Sequence, residues 1–95
     1  MNATKPLEKI TNYMVRQCET LSVAESVTAG QLQFILSGAE QATNFFQGGM
    51  TLYNVGQKTR HLAIDPINGL SCNGVSERIA AEMATNICTL FCSDW

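Results

Sequence analysis

Two short polar stretches, each beside an apolar run, contain the side chains of this chain that can do chemistry. Residues 24–30 read AESVTAG and follow the run 21–23, while residues 48–58 read GGMTLYNVGQK. Each stretch is typical of a strand that delivers polar side chains to its carboxyl end, where open α/β sheets bind their ligands. We therefore predict that the two strands lie side by side and that their ends form one site.

The first stretch brings Glu25, Ser26 and Thr28 to the beginning of a helix. Free backbone N–H groups at such a helix start can hold an anion or a developing oxyanion. Ser26 or Thr28 can equally be the N-cap of this helix, because serine and threonine are preferred at that position. The spacing of these residues leaves both interpretations open.

The second stretch places Lys58 in the first turn of a helix that begins after Asn54, with Asn54 as N-cap and Gln57 as its capping-box partner. The positive end of the helix dipole disfavours another ammonium group, so a neutral Lys58 is a candidate general base. The alternative is an ordinary lysine that faces water. Lys58, Arg60 and His61 together suit a small anion such as phosphate, or else they form a solvated helix face.

The elements that must position these stretches are strands alternating with helices. The pattern predicts a helix from Thr4 to about Cys18, a strand over 21–24, a helix ending near Ser37, a strand over 50–53, a helix over 54–62, an irregular segment over 67–73 and a last helix from Ser76 to about Phe91. This alternation favours a three-layer α/β/α fold with a parallel or mixed sheet. Two strands leave that sheet incomplete in this chain.

Length and charge exclude several classes of protein and partner. The 95 residues allow one domain, which we place over residues 1–95 as the front part of a larger one. A net charge of −2 provides no basic surface for nucleic acid, and no segment has the length of a membrane span. Only 15% of residues are charged, below the ~25% typical of soluble domains. We therefore expect the apolar faces to meet further sequence or another copy in a homo-oligomer.

The cysteines and the single histidine predict neither a metal site nor a cofactor. Cysteines stand at positions 18, 72, 88 and 92, without a Cys-x-x-Cys pair, and His61 is the only histidine. We expect all four cysteines to be reduced and mostly buried as small apolar side chains. The residues from Met1 onward do not form a signal sequence, so we expect a cytoplasmic protein.

Several short motifs, in a fixed order, carry a resemblance to a known family. They are Ala24-Glu25-Ser26-x-Thr28-x-Gly30, Phe46-x-Gly48-Gly49 through Tyr53 to Lys58, Asp65-Pro66 and Gly74-Val75-Ser76-Glu77. From about residue 7 to residue 95, their combination resembles the C-terminal domain of the competence/damage-inducible CinA proteins. Members of that family act as nicotinamide mononucleotide amidohydrolases.

The resemblance implies an amidohydrolase with a Ser-Tyr-Lys mechanism. Ser26 would attack the amide carbon, Lys58 would take the serine proton directly or through Tyr53, and backbone N–H groups near residues 28–30 would hold the oxyanion. The ligand would be a pyridine nucleotide, deamidated to nicotinate mononucleotide and ammonia. Contacts to this substrate are assigned to Glu25, Thr28, Gly30, Gly48, Gly49 and Arg60.

Two departures from the family pattern favour other functions. Ala29 stands where the family usually has glycine, and its Cβ is unfavourable if the backbone needs a positive φ here. Family members also continue beyond Trp95 into another strand, a glycine-rich loop and further sheet. We therefore expect the short chain to be inactive or weakly active. The alternatives are a non-catalytic nucleotide-binding or assembly module of the same family and a purely structural α/β domain.

Overall fold

The computed structural model describes residues 4–95, apart from the side chain of Thr4. The prediction that no signal sequence is present concerns the residues from Met1 onward, and Met1–Ala3 lie outside the described residues. In the described part the elements are α1 Thr4–Gln17, β1 Leu21–Glu25, α2 Gln31–Ser37, α3 Ala42–Phe45, β2 Phe46–Thr51, α4 Val55–Leu62, α5 Pro66–Ser71 and α6 Glu77–Phe91. No helix among them has the length and apolar character needed to span a membrane.

The sheet consists of β1 and β2, which pair in parallel as the strand and helix alternation predicts. Leu21 lies opposite Phe46, but Ser22 lies opposite Gly48, so the register shifts by one residue and Gln47 forms a bulge. Gly48 takes φ +113 there, a conformation that favours glycine. The predicted start of β2 at residue 50 was wrong, because this bulge lets the ladder continue back to Phe46.

Helices cover both faces of the sheet, which confirms the predicted α/β class. On one face, Ala24 and Met50 pack against an apolar cluster formed with α6 and the segments around α4; its buried members are Leu52, Leu62, Ile64, Ile79, Met83 and Ile87. On the other face, Gln33 of α2 lies close to Gly49 of β2, beside Val23 of the paired strand β1. The sheet therefore sits between helical layers, with the ends of β1 and β2 at one edge.

Local capping signals explain where two of the helices begin. The Asn54 side chain accepts a hydrogen bond from the Gln57 N–H at 2.9 Å, which confirms Asn54 as the N-cap of α4. The side chain of Gln57 does not complete a capping box and contacts His61 instead. The prediction of irregular structure over 67–73 was wrong, because Asp65 accepts from the Ile67 N–H and Pro66 is preorganised for the first turn of α5.

The cysteines are free but less buried than predicted. Cys18 and Cys92 are exposed, while Cys72 and Cys88 are partly buried. Cys18 and Cys92 have φ values of +54 and +53, because each directly follows a helix and turns the chain away from it. Position at a helix end, and not apolar character, decides the exposure of these two side chains.

Candidate functional site

A cavity of about 580 Å³ opens at the carboxyl end of β1. Its walls come from β1 and the turn that follows it, from Lys58 of α4, from the loop 74–76 and from α6. Ser26 and Lys58 both line this cavity, so the two elements predicted to meet do bring these side chains to one space. The volume lies within the ~300–1,000 Å³ range of small-molecule sites.

Lys58 is buried, with only 3% of the residue exposed. Its Nζ donates a hydrogen bond to the carbonyl oxygen of Gly74 at 2.9 Å, and within residues 4–95 no acidic side chain forms a salt bridge with it. The alternative of a solvated surface lysine is therefore wrong. Gly74 has φ +72, and a Cβ at this position would lie 3.3 Å from the Lys58 amine, so a glycine allows the two segments to meet.

The turn after β1 holds Ser26 at the cavity wall. The N–H of Ala29 donates to the Ser26 carbonyl oxygen and that of Gln31 donates to the Thr28 carbonyl oxygen, each at 3.0 Å. The N–H groups of Val27 and Thr28 have no partner among residues 4–95, and both residues line the cavity. Two unpaired donors in a tight turn can together bind an oxyanion.

Glu25 organises this turn from inside the protein. The residue is 3% exposed, and its carboxylate accepts hydrogen bonds from the N–H groups of Leu32 and Gln33, at 2.8 and 2.9 Å, and from the Thr28 hydroxyl at 2.8 Å. Glu25 thus caps α2. The alternative of Ser26 or Thr28 as N-cap was wrong, since Gly30 holds that position without a side-chain bond. The Leu32 and Gln33 N–H groups at the start of α2 are therefore occupied by a carboxylate of the chain itself, and of the groups predicted near residues 28–30 that of Ala29 donates to the Ser26 carbonyl oxygen.

Burial and hydrogen bonding act on the Glu25 carboxyl in opposite directions. Burial works to raise its pKa, but the N–H groups of Gln33 and Leu32 and the Thr28 hydroxyl stabilise the anion more strongly, and they lower the pKa from 4.5 to about 2. Because the folded pKa is depressed, Glu25 contributes its full stabilisation above the unfolded value near 4.5. This contribution is lost as the pH falls towards 2.

We expect Glu25→Gln to lower the free energy of unfolding at pH 7 by about 2–3 kcal/mol, because a neutral amide replaces a charged acceptor of several hydrogen bonds. Between pH 4.5 and 2 the stability of the unsubstituted chain should fall more steeply than that of the variant. Urea unfolding at pH 7, 4.5 and 2.5 measures both effects, with the exposed Glu8→Gln as control. Parallel pH profiles for the unsubstituted chain and Glu25→Gln would contradict the role given to Glu25.

Ala29 has φ +55, the left-handed conformation for which its side chain is unfavourable. We expect Ala29→Gly to raise the free energy of unfolding by about 1 kcal/mol, because glycine adopts this conformation without a steric penalty. The matched control is Ala81→Gly at an exposed position of α6, which should destabilise by about 1 kcal/mol. Thermal or urea unfolding distinguishes the two signs, and a destabilised Ala29→Gly would show that this turn has a different conformation.

Other residues assigned to the site from the sequence lie outside the cavity lining. Tyr53 is 69% exposed, in the connection between β2 and α4, and Arg60 is exposed on α4. Gly30 begins α2, with φ +100. Gly48 and Gly49 lie in the β1–β2 ladder. The cavity therefore brings together Glu25, Ser26, Thr28 and Lys58, without the tyrosine.

The loop 74–76 is a wall of the cavity to which the sequence analysis gave no site role. Gly74 supplies the carbonyl for Lys58, and the Ser76 hydroxyl accepts from the Ile79 N–H as the N-cap of α6. The sequence analysis used the motif Gly74-Val75-Ser76-Glu77 only for the family resemblance. A glycine followed by a helix N-cap was the signal that could have indicated a site role for this loop. Within residues 4–95, no group of three His, Cys, Asp or Glu side chains is placed to hold a metal ion.

The chain is similar in sequence to known proteins of one family. The family model described as "CinA C-terminal domain" matches residues 3–95. A "CinA-like protein" of Prochlorococcus marinus is 36% identical over 89 residues, which cover 93% of this chain and 21% of that protein. A "CinA-like protein" of Gloeobacter violaceus is 34% identical over 82 residues, covering 86% of this chain and 19% of that protein.

Solved structures of similar fold are longer than this chain. The competence or damage-inducible protein from Enterobacter asburiae superposes with a TM-score of 0.88 at 27% identity, over 93% of this chain and 55% of that chain. A CinA superfamily protein from Klebsiella pneumoniae superposes with a TM-score of 0.92 at 24% identity, over 99% of this chain and 59% of that chain. The chain spans about a fifth of the first curated relatives and a little over half of these solved chains. With its family model matched almost from end to end, the chain belongs to the CinA C-terminal domain family.

Proposed function

We propose that this chain supplies the nucleophile and base of an amidohydrolase that deamidates nicotinamide mononucleotide. The observation that supports the proposal is that Ser26 and the buried Lys58 line the same cavity. A hydroxyl and an amine are sufficient for nucleophilic hydrolysis when the amine can accept the hydroxyl proton. Membership of the CinA family is the reason for proposing an amide as the bond that is cleaved.

In the proposed reaction, Ser26 Oγ attacks the carboxamide carbon while a neutral Lys58 accepts the hydroxyl proton. The N–H groups of Val27 and Thr28 stabilise the tetrahedral oxyanion. When the C–N bond breaks, the proton held by Lys58 passes to the leaving nitrogen, and ammonia departs from an acyl-Ser26 ester. Water, deprotonated by Lys58, then attacks the ester carbon and releases the carboxylate and the free Ser26 hydroxyl.

The cavity wall supports a ligand with an aromatic ring. Ile79, Met83 and Ala80 of α6 line the cavity together with polar residues of the turn of Ser26, so its lining combines apolar side chains with polar groups. A pyridine ring with a carboxamide has the same division between an apolar body and a polar end.

The experiment is a measurement of ammonia release from nicotinamide mononucleotide. It compares the 95-residue chain with the same chain joined to the polypeptide that completes the domain in the Enterobacter asburiae relative. We expect turnover by the extended form and a rate at least about tenfold lower for the short form, whose site is more open to water. Nicotinate mononucleotide, which lacks the amide, is the control substrate. No release by the extended form would contradict the proposal, and equal rates would contradict the need for the added part.

The second candidate is a non-catalytic nucleotide-binding module. The position of Tyr53 favours this candidate. The resemblance implies that Tyr53 assists the proton transfer, but this residue is exposed and does not line the cavity. Such a module would be stabilised by nicotinamide mononucleotide in thermal unfolding without releasing ammonia. Stabilisation together with turnover would exclude it.

A further inference from the structure

Lys58 and Glu25 are the only charged side chains among the residues of 4–95 that line the cavity, and they form no salt bridge with each other. The Glu25 carboxylate accepts from two N–H groups of α2 and from the Thr28 hydroxyl. The Lys58 amine donates to the neutral carbonyl of Gly74. A buried ammonium group without an anionic partner is unfavourable, so a ligand that brings an anion to Lys58 is stabilised there.

The turn after β1 adds two hydrogen-bond donors to the same cavity. Val27 and Thr28 line it, and their N–H groups have no partner within the described residues 4–95. A carboxylate only accepts hydrogen bonds and has two oxygens, so one such group can pair with N–H donors and with an ammonium group together. Hydrogen bonds to a charged acceptor are roughly twice as strong as those between neutral groups. The turn therefore favours a carboxylate over a neutral group of the same shape.

The remainder of the cavity lining suits an apolar ring. Ile79, Ala80 and Met83 of α6 contribute apolar side chains to it. Small-molecule sites commonly combine such a lining with a few polar groups that fix the orientation of the ligand. An aromatic ring with a single carboxylate matches both parts of this cavity.

The proposed reaction ends with the same pair of charges. Hydrolysis of the acyl-Ser26 ester consumes one water, of which one hydrogen returns to Ser26 Oγ. The new carboxyl group gives the other hydrogen to Lys58, because an amine is a far stronger base than a carboxylate. The product is then a carboxylate beside an ammonium group. The amide substrate instead presents an NH₂ donor, which finds no acceptor on a protonated amine.

We propose that this cavity binds aromatic monocarboxylates more tightly than the corresponding carboxamides, and that the deamidation is therefore inhibited by its own product. Lys58 supplies the opposite charge, and the N–H groups of Val27 and Thr28 orient the carboxylate. The inhibition rests on the proposed function, whereas the binding preference rests only on the lining of the cavity.

Nicotinate and nicotinamide test the preference, because they differ only in the group that pairs with Lys58. Each is titrated at pH 7 into the Ser26→Ala chain, in which no acyl-enzyme forms, while NMR follows the amide resonances of Val27 and Thr28. We expect the Kd of nicotinate to be at least about tenfold lower, with both resonances shifted at saturation. Equal affinities, or shifts confined to other residues, would overturn the proposal.

A matched pair of variants on α4 locates the charge that gives the preference. Lys58→Met replaces the amine by an apolar side chain of similar length, so nicotinate should lose its advantage over nicotinamide. Arg60→Met removes an exposed cation of the same helix that does not line the cavity, and the advantage should remain. Loss of the advantage in both variants would indicate a general charge effect and would overturn the proposal.

The inhibition is measured on the extended protein. Nicotinate mononucleotide should compete with nicotinamide mononucleotide, with a Ki at least about tenfold below KM, and ammonia release should slow as product accumulates. Turnover without a preference for the carboxylate would overturn this inference and leave the amidohydrolase in place. A preference without turnover would support the carboxylate site and contradict only the amidohydrolase.

Discussion

Replacing Ser26 by alanine is expected to lower kcat for ammonia release from nicotinamide mononucleotide by at least about 10³-fold in the extended protein. Without the hydroxyl, no acyl-enzyme forms, and Lys58 has no nucleophile to deprotonate. KM should change much less, because the cavity walls and the N–H groups of the turn stay in place. Steady-state kinetics measure the effects on kcat and KM separately. Mass spectrometry of the quenched reaction should detect the acylated chain only when Ser26 is present.

The control for this substitution is Ser71→Ala. Ser71 is an exposed serine at the end of α5, and its hydroxyl bonds only to a backbone carbonyl in the same helix. Its loss should leave kcat unchanged. Normal turnover by Ser26→Ala would remove Ser26 as nucleophile and leave the non-catalytic binding module as the better account of the cavity.

Gly49→Ala is expected to produce the largest loss of stability, about 2–4 kcal/mol. A Cβ at this position would overlap the carbonyl oxygen of Val23 and lie 2.8 Å from its Cγ2. The first contact is with backbone in the paired strand, which cannot move aside without breaking the β1–β2 ladder. Because β1 lines the cavity, the loss should reach the site as well as the fold.

Gly56→Ala is the matched control for Gly49→Ala. Gly56 lies in the first turn of α4, and a Cβ there would meet only the Asn54 side chain, at an ordinary 3.5 Å. We expect this variant to be about 0.5–1 kcal/mol more stable, since alanine has the higher helix propensity. Urea unfolding of both variants measures the contrast. Equal stability of Gly49→Ala and the unsubstituted chain would show that the strands are not in this register.

Features that depend on neighbours along the chain could be predicted from the sequence. Asn54 caps α4 through a residue three positions away, and the apolar repeat of α6 is local to one helix. A glycine pair beside a strand, as at residues 48–49, is a sequence signal for a bulge or a close approach of strands, and the structure has both. The resemblance of the motifs to the CinA family was confirmed by the match over residues 3–95.

What only the tertiary structure decided concerns side chains whose partners are distant in sequence. Lys58 donates to the Gly74 carbonyl oxygen and Glu25 accepts from the Gln33 N–H. Tyr53 faces water, although Lys58 of the same motif lines the cavity. Periodicity identifies the face of an element, but burial and hydrogen bonding depend on which other element packs there. By itself, therefore, the sequence determined the family, the main elements and the residues able to react. Packing decided which of those residues share the cavity, because a contact between separate elements depends on the path of the whole chain.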